Sequence, residues 1–280
     1  MSPVAGGTLL DSDTSPDRIA PNFTREAFAG TAGYYSRFRP PYPPVLLSDL
    51  LTRAEVPAGG RLLDLGCGPG RIALPLQDRL GEIWAVDPEP EMLAEGRRIA
   101  GPSRSIRWIE STAEQLVAPL GQFDLITAGE SFHRFDQRVV GAKALGWLRP
   151  GHCLALLWQV NLWPGDEEWQ KSARGIVSRY VDMRSASSPP PGIGQFATFQ
   201  EALASIGFLD ISTHEFQAIH EWTVESMLGY LYSTSILSRR VLGDRRSAFE
   251  ADFKGALARL GGNGVFQESI RFGYALGRRA

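Results

Sequence analysis

The chain has 280 residues, 43% of them hydrophobic and 21% charged, with a net charge of −2. Such a balance supports a sizeable buried core and excludes a disordered or collagen-like chain. It also supplies no electrostatic attraction for nucleic acid or an anionic membrane surface, so neither is expected as a partner. Cys67 and Cys153 are the only cysteines, too few for a disulfide framework and consistent with a reducing compartment. There is no basic, apolar leader at the start and no run of ~18 apolar residues that could span a bilayer. A cytoplasmic location is expected.

Residues 1–20 mix Gly, Ser, Pro and Asp without apolar periodicity and read as a loose tail. A first helix is expected from about Thr24, with Phe28 on its apolar face. The stretch Tyr34–Pro44 follows, where closely spaced prolines end any helix and force an extended path. Val45–Leu51 restarts a helical pattern. Leu62, Leu63 and Leu65 then form a short apolar run around Asp64, followed by glycines at 66, 68 and 70 and an apolar pattern from Ile72 to Leu76. That order predicts a buried strand, a tight loop and a helix. Gly66 and Gly68 carry no Cβ and tolerate positive φ, so a ligand can approach the backbone there. The helix that follows aims unpaired amides and the positive end of its dipole at the same spot.

Glu82–Asp87 predicts a second strand, and Pro88 to about Arg98 a helix whose prolines fit its first turn. Ser105–Glu110 and Phe123–Ala128 predict the third and fourth strands, Gln137–Trp147 the helix after them. Arg149-Pro-Gly is expected to turn the chain into a fifth strand over 152–158. Short connections between alternating strands and helices predict right-handed βαβ units and a mostly parallel sheet. Beyond Trp158 the rhythm changes. A helix is expected over Asp166–Val181, then a long Pro- and Ser-rich loop over Arg184–Gly194 as a candidate lid. Phe199–Ile206 reads as a helix stopped by Gly207 and Leu209–Phe216 as a strand. Residues 223–236 and 246–260 read as helices, and Phe266–Leu276 as a closing strand antiparallel to its predecessor. The fold class is therefore α/β: a Rossmann-like doubly wound sheet, mostly parallel, with a C-terminal antiparallel hairpin and a helical cap. Its expected organisation is a tail over 1–20, a core over 21–160, and cap elements with the closing strands of the same sheet over 161–280.

Asp87 ends the second strand about twenty residues past the glycine loop, where a carboxylate can accept hydrogen bonds from both hydroxyls of an adenosine ribose. A helix-capping role for Asp87 is the alternative. A nicotinamide dinucleotide also suits a glycine turn plus an acid. Here, however, Arg71 stands where a dinucleotide fingerprint wants its last glycine, and bulk there is expected to crowd a pyrophosphate.

Leu63-Asp-Leu-Gly-Cys-Gly-Pro-Gly70, Val86–Met92, Ser111–Glu114, Phe123–Gly129 and Leu148–Gly151 occur in that order. With these motifs the chain resembles class I S-adenosylmethionine-dependent methyltransferases, specifically the small-molecule branch related to trans-aconitate methyltransferase, over roughly residues 25–160. The resemblance implies S-adenosyl-L-methionine as cofactor, S-adenosyl-L-homocysteine as product and a small-molecule acceptor. It implies that Gly66, Cys67 and Gly68 cradle the methionine part with Asp64 near its ammonium, and that Asp87 holds the ribose. Pro88 and Met92 would flank the adenine, and Thr112, Ala113 and Glu114 would meet its edge, where many relatives carry an aspartate in place of Thr112. Gly129, ending the fourth-strand motif, joins the cofactor set. Tyr35 and Arg39 look like a lid over the cofactor carboxylate, or else a surface aromatic and a solvated arginine.

His133 follows the fourth strand, whose end would face the transferable methyl; Arg134 stands where relatives carry Trp. His133 could act as a general base on an attacking oxygen or nitrogen, or as a structural hydrogen-bonder. Glu130 and Asp136 are weaker base candidates. His220, Trp222, Tyr230 and Tyr232 could line an acceptor pocket with the Pro-rich loop, or form ordinary core. The histidines and cysteines show no metal-ligand spacing. The expected function is in-line methyl transfer to a small molecule. A non-methylating rearrangement or cyclisation, a non-enzymatic cofactor-binding module and a dehydrogenase stand as rivals.

Overall fold

The computed structural model describes residues 25–102, 105–160, 163–181, 198–260 and 264–280. The tail expected over 1–20 and the lid expected over 184–194 lie outside those residues.

A seven-stranded sheet runs in the order β3-β2-β1-β4-β5-β7-β6. Its strands are β1 (Arg61–Leu65), β2 (Glu82–Asp87), β3 (Ile106–Glu110), β4 (Phe123–Gly129), β5 (Leu148–Gln159), β6 (Leu209–Thr223) and β7 (Val265–Arg278). The first five pair in parallel, and β7 runs antiparallel to both β5 and β6. This is the doubly wound sheet with a closing hairpin that the sequence predicts. Period-two alternation explains its two covered faces. Leu62, Ile83, Leu125 and Ala155 enter one apolar core, while their neighbours Leu63, Trp84, Ile126 and Leu154 enter the other. Each fully buried leucine contributes roughly 1.5–3 kcal/mol, and a one-residue register slip would swap the faces and misfit the packing of both cores at once.

The helices are α1 (Ala32–Phe38), α2 (Pro44–Arg53), α3 (Ala73–Leu76), α4 (Pro90–Ala100), α5 (Gln137–Trp147), α6 (Glu168–Tyr180), α7 (Phe199–Ile206), α8 (Val224–Tyr232), α9 (Arg239–Leu242) and α10 (Arg246–Ala258). Local chemistry sets their ends. Asp136 caps α5 by accepting from the Val139 amide, Thr198 caps α7 through the Glu201 amide, and α8 opens with a Thr223/Ser226 capping box. No described helix is long and apolar enough to cross a membrane.

Several expected boundaries move. In place of a helix from Thr24, Arg25–Phe28 form a single 3₁₀ turn and the helix begins at Ala32. Tyr34 and Phe38, one turn apart, stack at 6.1 Å and face α8, where Tyr34 meets Tyr232 edge-on at 5.4 Å. Tertiary packing thus makes a helix of a segment that the nearby prolines marked as extended. The helix after the glycine loop is the single turn α3, with Pro75 inside it, where a first turn tolerates a residue without an amide proton. Pairing on β5 begins at Leu148, before the expected turn; Arg149–Gly151 form an irregularity between the pairs Phe123–Leu148 and Leu125–Cys153. β6 runs on to Thr223 instead of stopping at Phe216, because β7 supplies hydrogen-bond partners along its whole length.

Candidate functional site

The carboxyl ends of β1, β2 and β4 converge where the strand order reverses, the place where doubly wound sheets bind ligands. Gly66 and Gly68 both sit at positive φ (+65° and +54°) but do different things. A Cβ on Gly66 would lie 2.5 Å from the Ser131 Cβ, so Gly66 lets the β4 loop pack onto the strand end. A Cβ on Gly68 would meet nothing closer than the Tyr35 ring at 3.8 Å. Gly68 faces open space.

That space is a cavity of about 250 Å³. The Asp87 carboxylate organises its floor: one oxygen accepts from the Gly68 amide and the other from the Glu89 amide, each at 2.9 Å. Asp87 is buried, and burial pushes its pKa up against the pull of those two amides. Tyr35, Gly66, Gly68, Gly129, Pro88, Met92, Thr112, Ala113 and Glu114 line it with Asp87. Ten of the thirteen residues expected at the cofactor therefore share one cavity. Glu114 is held by the Asp136 amide at 2.9 Å. Phe28, Glu89, Ser131 and Phe135 also line it. Sequence reasoning attached no ligand role to these four; the signal for Glu89 was its place as the cap of α4.

Asp64, Cys67, Arg39 and His133 are not in this wall. The Cys67 thiol turns inward and donates to the Gly68 carbonyl, and burial raises its pKa well above the ordinary thiol value. Asp64 lies beneath the loop and accepts from the Thr127 hydroxyl at 2.8 Å. Arg71 corrects an expectation. Its guanidinium leaves the cavity, bonds the Pro40 carbonyl and the Gln159 amide oxygen, and lies 4.6 Å from the Tyr42 ring. Its bulk crowds nothing in the cavity; it ties the N-terminal segment to β5.

Residues 62–151, which carry the loop and most of that wall, match the methyltransferase domain family. That segment is similar to methyltransferase domains. Uncharacterized methyltransferases of Mycobacterium bovis and Mycobacterium tuberculosis are 32% identical over 158 residues, 56% of this chain and 60% of theirs. The chain thus spans less than two thirds of the length of these curated relatives. Among solved structures, a candidate type II methyltransferase from Anaeromyxobacter dehalogenans superposes with a TM-score of 0.61 at 24% identity, covering 86% of this chain and 97% of that one. A Haemonchus contortus phosphoethanolamine N-methyltransferase, solved with S-adenosyl-L-methionine, gives 0.53 at 15% identity over 92% of this chain and 60% of that one. Both share the fold.

A second cavity of about 200 Å³ adjoins the first and shares Phe28, Tyr35, Glu130 and Arg134 with it. Here lie Arg39 and His133, with Tyr230, Thr234, Ser235 and Ile236 contributed from α8 and the loop after it. Arg39 donates to the Ser233 hydroxyl at 2.8 Å, comes within 4.0 Å of Glu130, and sits between the Tyr35 and Tyr230 rings. Glu130 holds a positive φ of +55°, a conformation that costs a non-glycine residue roughly 1–2 kcal/mol and collects at functional sites. Its carboxylate accepts from the Gln159 amide at 3.3 Å. Burial lowers the His133 pKa; Arg134 adds to that shift and Glu130 opposes it. Of the four aromatic candidates for an acceptor pocket, only Tyr230 reaches this cavity. Trp222 is buried against Trp163 and His220, and Tyr232 donates to Glu250 at 2.7 Å. Trp222, on β6, and Tyr232, on α8, are core, and His220 is half-buried beside Trp222. No metal-ligating cluster occurs among the described residues.

Asp64 makes a testable contribution to stability. Burial, with the nearby Asp87 charge, pushes its pKa up to about 7, against the Thr127 hydroxyl and the Ala73 amide. The folded chain therefore holds this proton more tightly than the unfolded chain. Stability is full below the ordinary carboxylate range and falls as pH rises toward 7. Relative to D64N, the melting temperature of the ligand-free protein should drop across that window by on the order of several degrees. A difference between the two proteins that does not change with pH would contradict this origin.

Proposed function

We propose that the protein is an S-adenosylmethionine-dependent methyltransferase acting on a small-molecule acceptor. The observation that carries this reading is the Asp87–Gly68 contact at the floor of a cavity inside a segment similar to methyltransferase domains. The residues fit the cofactor. Gly68 leaves room where any Cβ would intrude, and each Asp87 oxygen that accepts one amide keeps a lone pair for a ribose hydroxyl. Gly66 and Gly68 would hold the methionine part, with the Cys67 peptide between them and Asp64 behind. Pro88 and Met92 would flank the adenine, Thr112, Ala113 and Glu114 its edge, and Tyr35 and Gly129 the opposite end. Bound there, the cofactor would supply a methyl group already activated on a sulfonium.

The chain's own residues then need only align the acceptor and exclude water. The wall shared by the two cavities, formed by Phe28, Tyr35, Glu130 and Arg134, supports an acceptor side there. An acceptor lone pair would form the new bond to carbon as the carbon–sulfur pair returns to sulfur. An acceptor that must also shed a proton would give it to His133, which its lowered pKa keeps neutral at pH 7. The acid limb of kcat/KM is then expected below the ordinary histidine value of about 6.5. H133Q should lose that limb together with about 100-fold in kcat/KM; an unchanged limb in H133Q would assign it to another group.

Calorimetric titration with S-adenosylmethionine and S-adenosylhomocysteine tests the reading, and absence of binding overturns it. A product one CH₂ heavier than the acceptor separates methyl transfer from cyclisation or rearrangement in the same cavity.

A further inference from the structure

The shared wall of the two cavities carries two charged side chains, Glu130 and Arg134. Their surroundings differ. Glu130 has the Arg39 guanidinium at 4.0 Å and the Gln159 amide at 3.3 Å. The Arg134 guanidinium lies 4.9 Å from the centre of the Phe28 ring and makes no hydrogen bond or ion pair among the described residues; only its backbone amide is bonded, to the Ser131 carbonyl. The groups that favour its charge from a distance are Asp87 and Tyr35, and burial works against that charge. Asp87 is engaged with two amides. A partly desolvated guanidinium without an anion in contact, on the wall of an open cavity, is poised for a planar or tetrahedral anion, which it grips through paired N–H donors. Arg39 brings a second guanidinium to the second cavity, where His133, Thr234 and Ser235 also stand. Phe28, Tyr35, Tyr230 and Ile236 give the same cavity an apolar body.

We propose that Arg134 is the specificity-determining residue of the acceptor site, and that the acceptor is a small molecule whose carboxylate or phosphate group rests on its guanidinium beside an apolar or aromatic body. The inference rests on the methyltransferase reading, because that reading makes one cavity the cofactor's and the other the acceptor's. The site selects for charge through Arg134 and for bulk through the rings. Amines are disfavoured: two arginines line the cavity, and Glu130 is already engaged.

The test uses the full chain saturated with S-adenosylhomocysteine and titrates benzoate, phenyl phosphate, benzamide and benzylamine, four probes that share a ring and differ in charge. Benzoate or phenyl phosphate should bind about tenfold or more tightly than benzamide and benzylamine, and added salt should narrow the gap. Which of the two anions binds better tells a carboxylate site from a phosphate site. R134Q, saturated with S-adenosylhomocysteine in its turn, should lose the preference, and R134K should recover part of it. A merely structural arginine would not move that ratio. Equal binding of the neutral or cationic probes overturns the proposal, as does failure of every probe up to millimolar concentration. So does an R134Q protein that keeps the preference but loses affinity for S-adenosylhomocysteine, which would give Arg134 to the cofactor. If the wild-type chain binds no S-adenosylhomocysteine at all, the methyltransferase reading itself has failed, and that outcome is visible before any probe is added.

Discussion

Asp87→Ala should weaken S-adenosylhomocysteine binding by about 100-fold, or roughly 2–3 kcal/mol. Two losses combine. The charge-assisted bonds that Asp87 would offer the ribose disappear, and the Gly68 and Glu89 amides, each now at 2.9 Å from a carboxylate oxygen, are left without an acceptor. The second loss also loosens the glycine loop, so the effect should exceed that of deleting a residue that touches only the ligand. Asp87→Asn is not a gentle control. Its amide would turn an N–H toward one of two amides that both donate, so at most one of the present bonds survives. A tenfold or greater loss is expected for D87N as well. Titration of each variant with S-adenosylhomocysteine, alongside a melting curve to confirm folding, decides the matter. Normal affinity in D87A would remove Asp87 from the site.

The second large effect separates two glycines that look alike in sequence. Gly66→Ala should unfold the protein more easily, and Gly68→Ala should bind poorly while staying folded. At Gly66 the new methyl would lie 2.5 Å from Ser131, whose hydroxyl donates to the Leu65 carbonyl at 2.8 Å. Either the β4 loop retreats or that bond breaks. With the strain of an alanine at positive φ, the loss is about 3 kcal/mol, and the melting temperature should fall by on the order of 10 °C. At Gly68 the same strain is present at φ +54°, but the methyl projects into the cavity and meets only the Tyr35 ring at 3.8 Å. G68A should therefore lose about 1–2 kcal/mol of stability while its affinity for S-adenosylhomocysteine falls about tenfold or more. Melting curves and titrations on the two variants check this directly. The reverse pattern would mean that Gly66, not Gly68, faces the ligand.

The contrast between those two glycines marks what sequence reading can and cannot reach. Both can be recognised as loop glycines from their spacing after Leu65, because positive φ is a local requirement that few other residues meet. Which of them faces a ligand depends on Ser131 and Tyr35, brought there from distant parts of the chain. Arg71 gives the same lesson in the other direction. Its position in the loop suggested bulk against a ligand, yet Pro40, Tyr42 and Gln159 draw its side chain away.

The sequence by itself determined the order of strands and helices, the two-faced parallel sheet and the grouping of Gly66, Gly68 and Asp87 at one end of it, while Thr112 and Gly129 were joined to them by the family resemblance. Alternating apolar residues, caps and loop glycines are local signals, and the right-handed crossover turns that order into a position in the sheet. Only the tertiary structure decided the second cavity. Phe28, Tyr35 and Arg39 reach it from the N-terminal segment, His133 and Arg134 from the loop after β4, and Tyr230 from α8. These segments meet because α1 packs across α8, with the Phe38 ring filling the space over Gly229. Contacts between elements so far apart follow from side-chain shape, which carries no period and leaves no pattern along the chain.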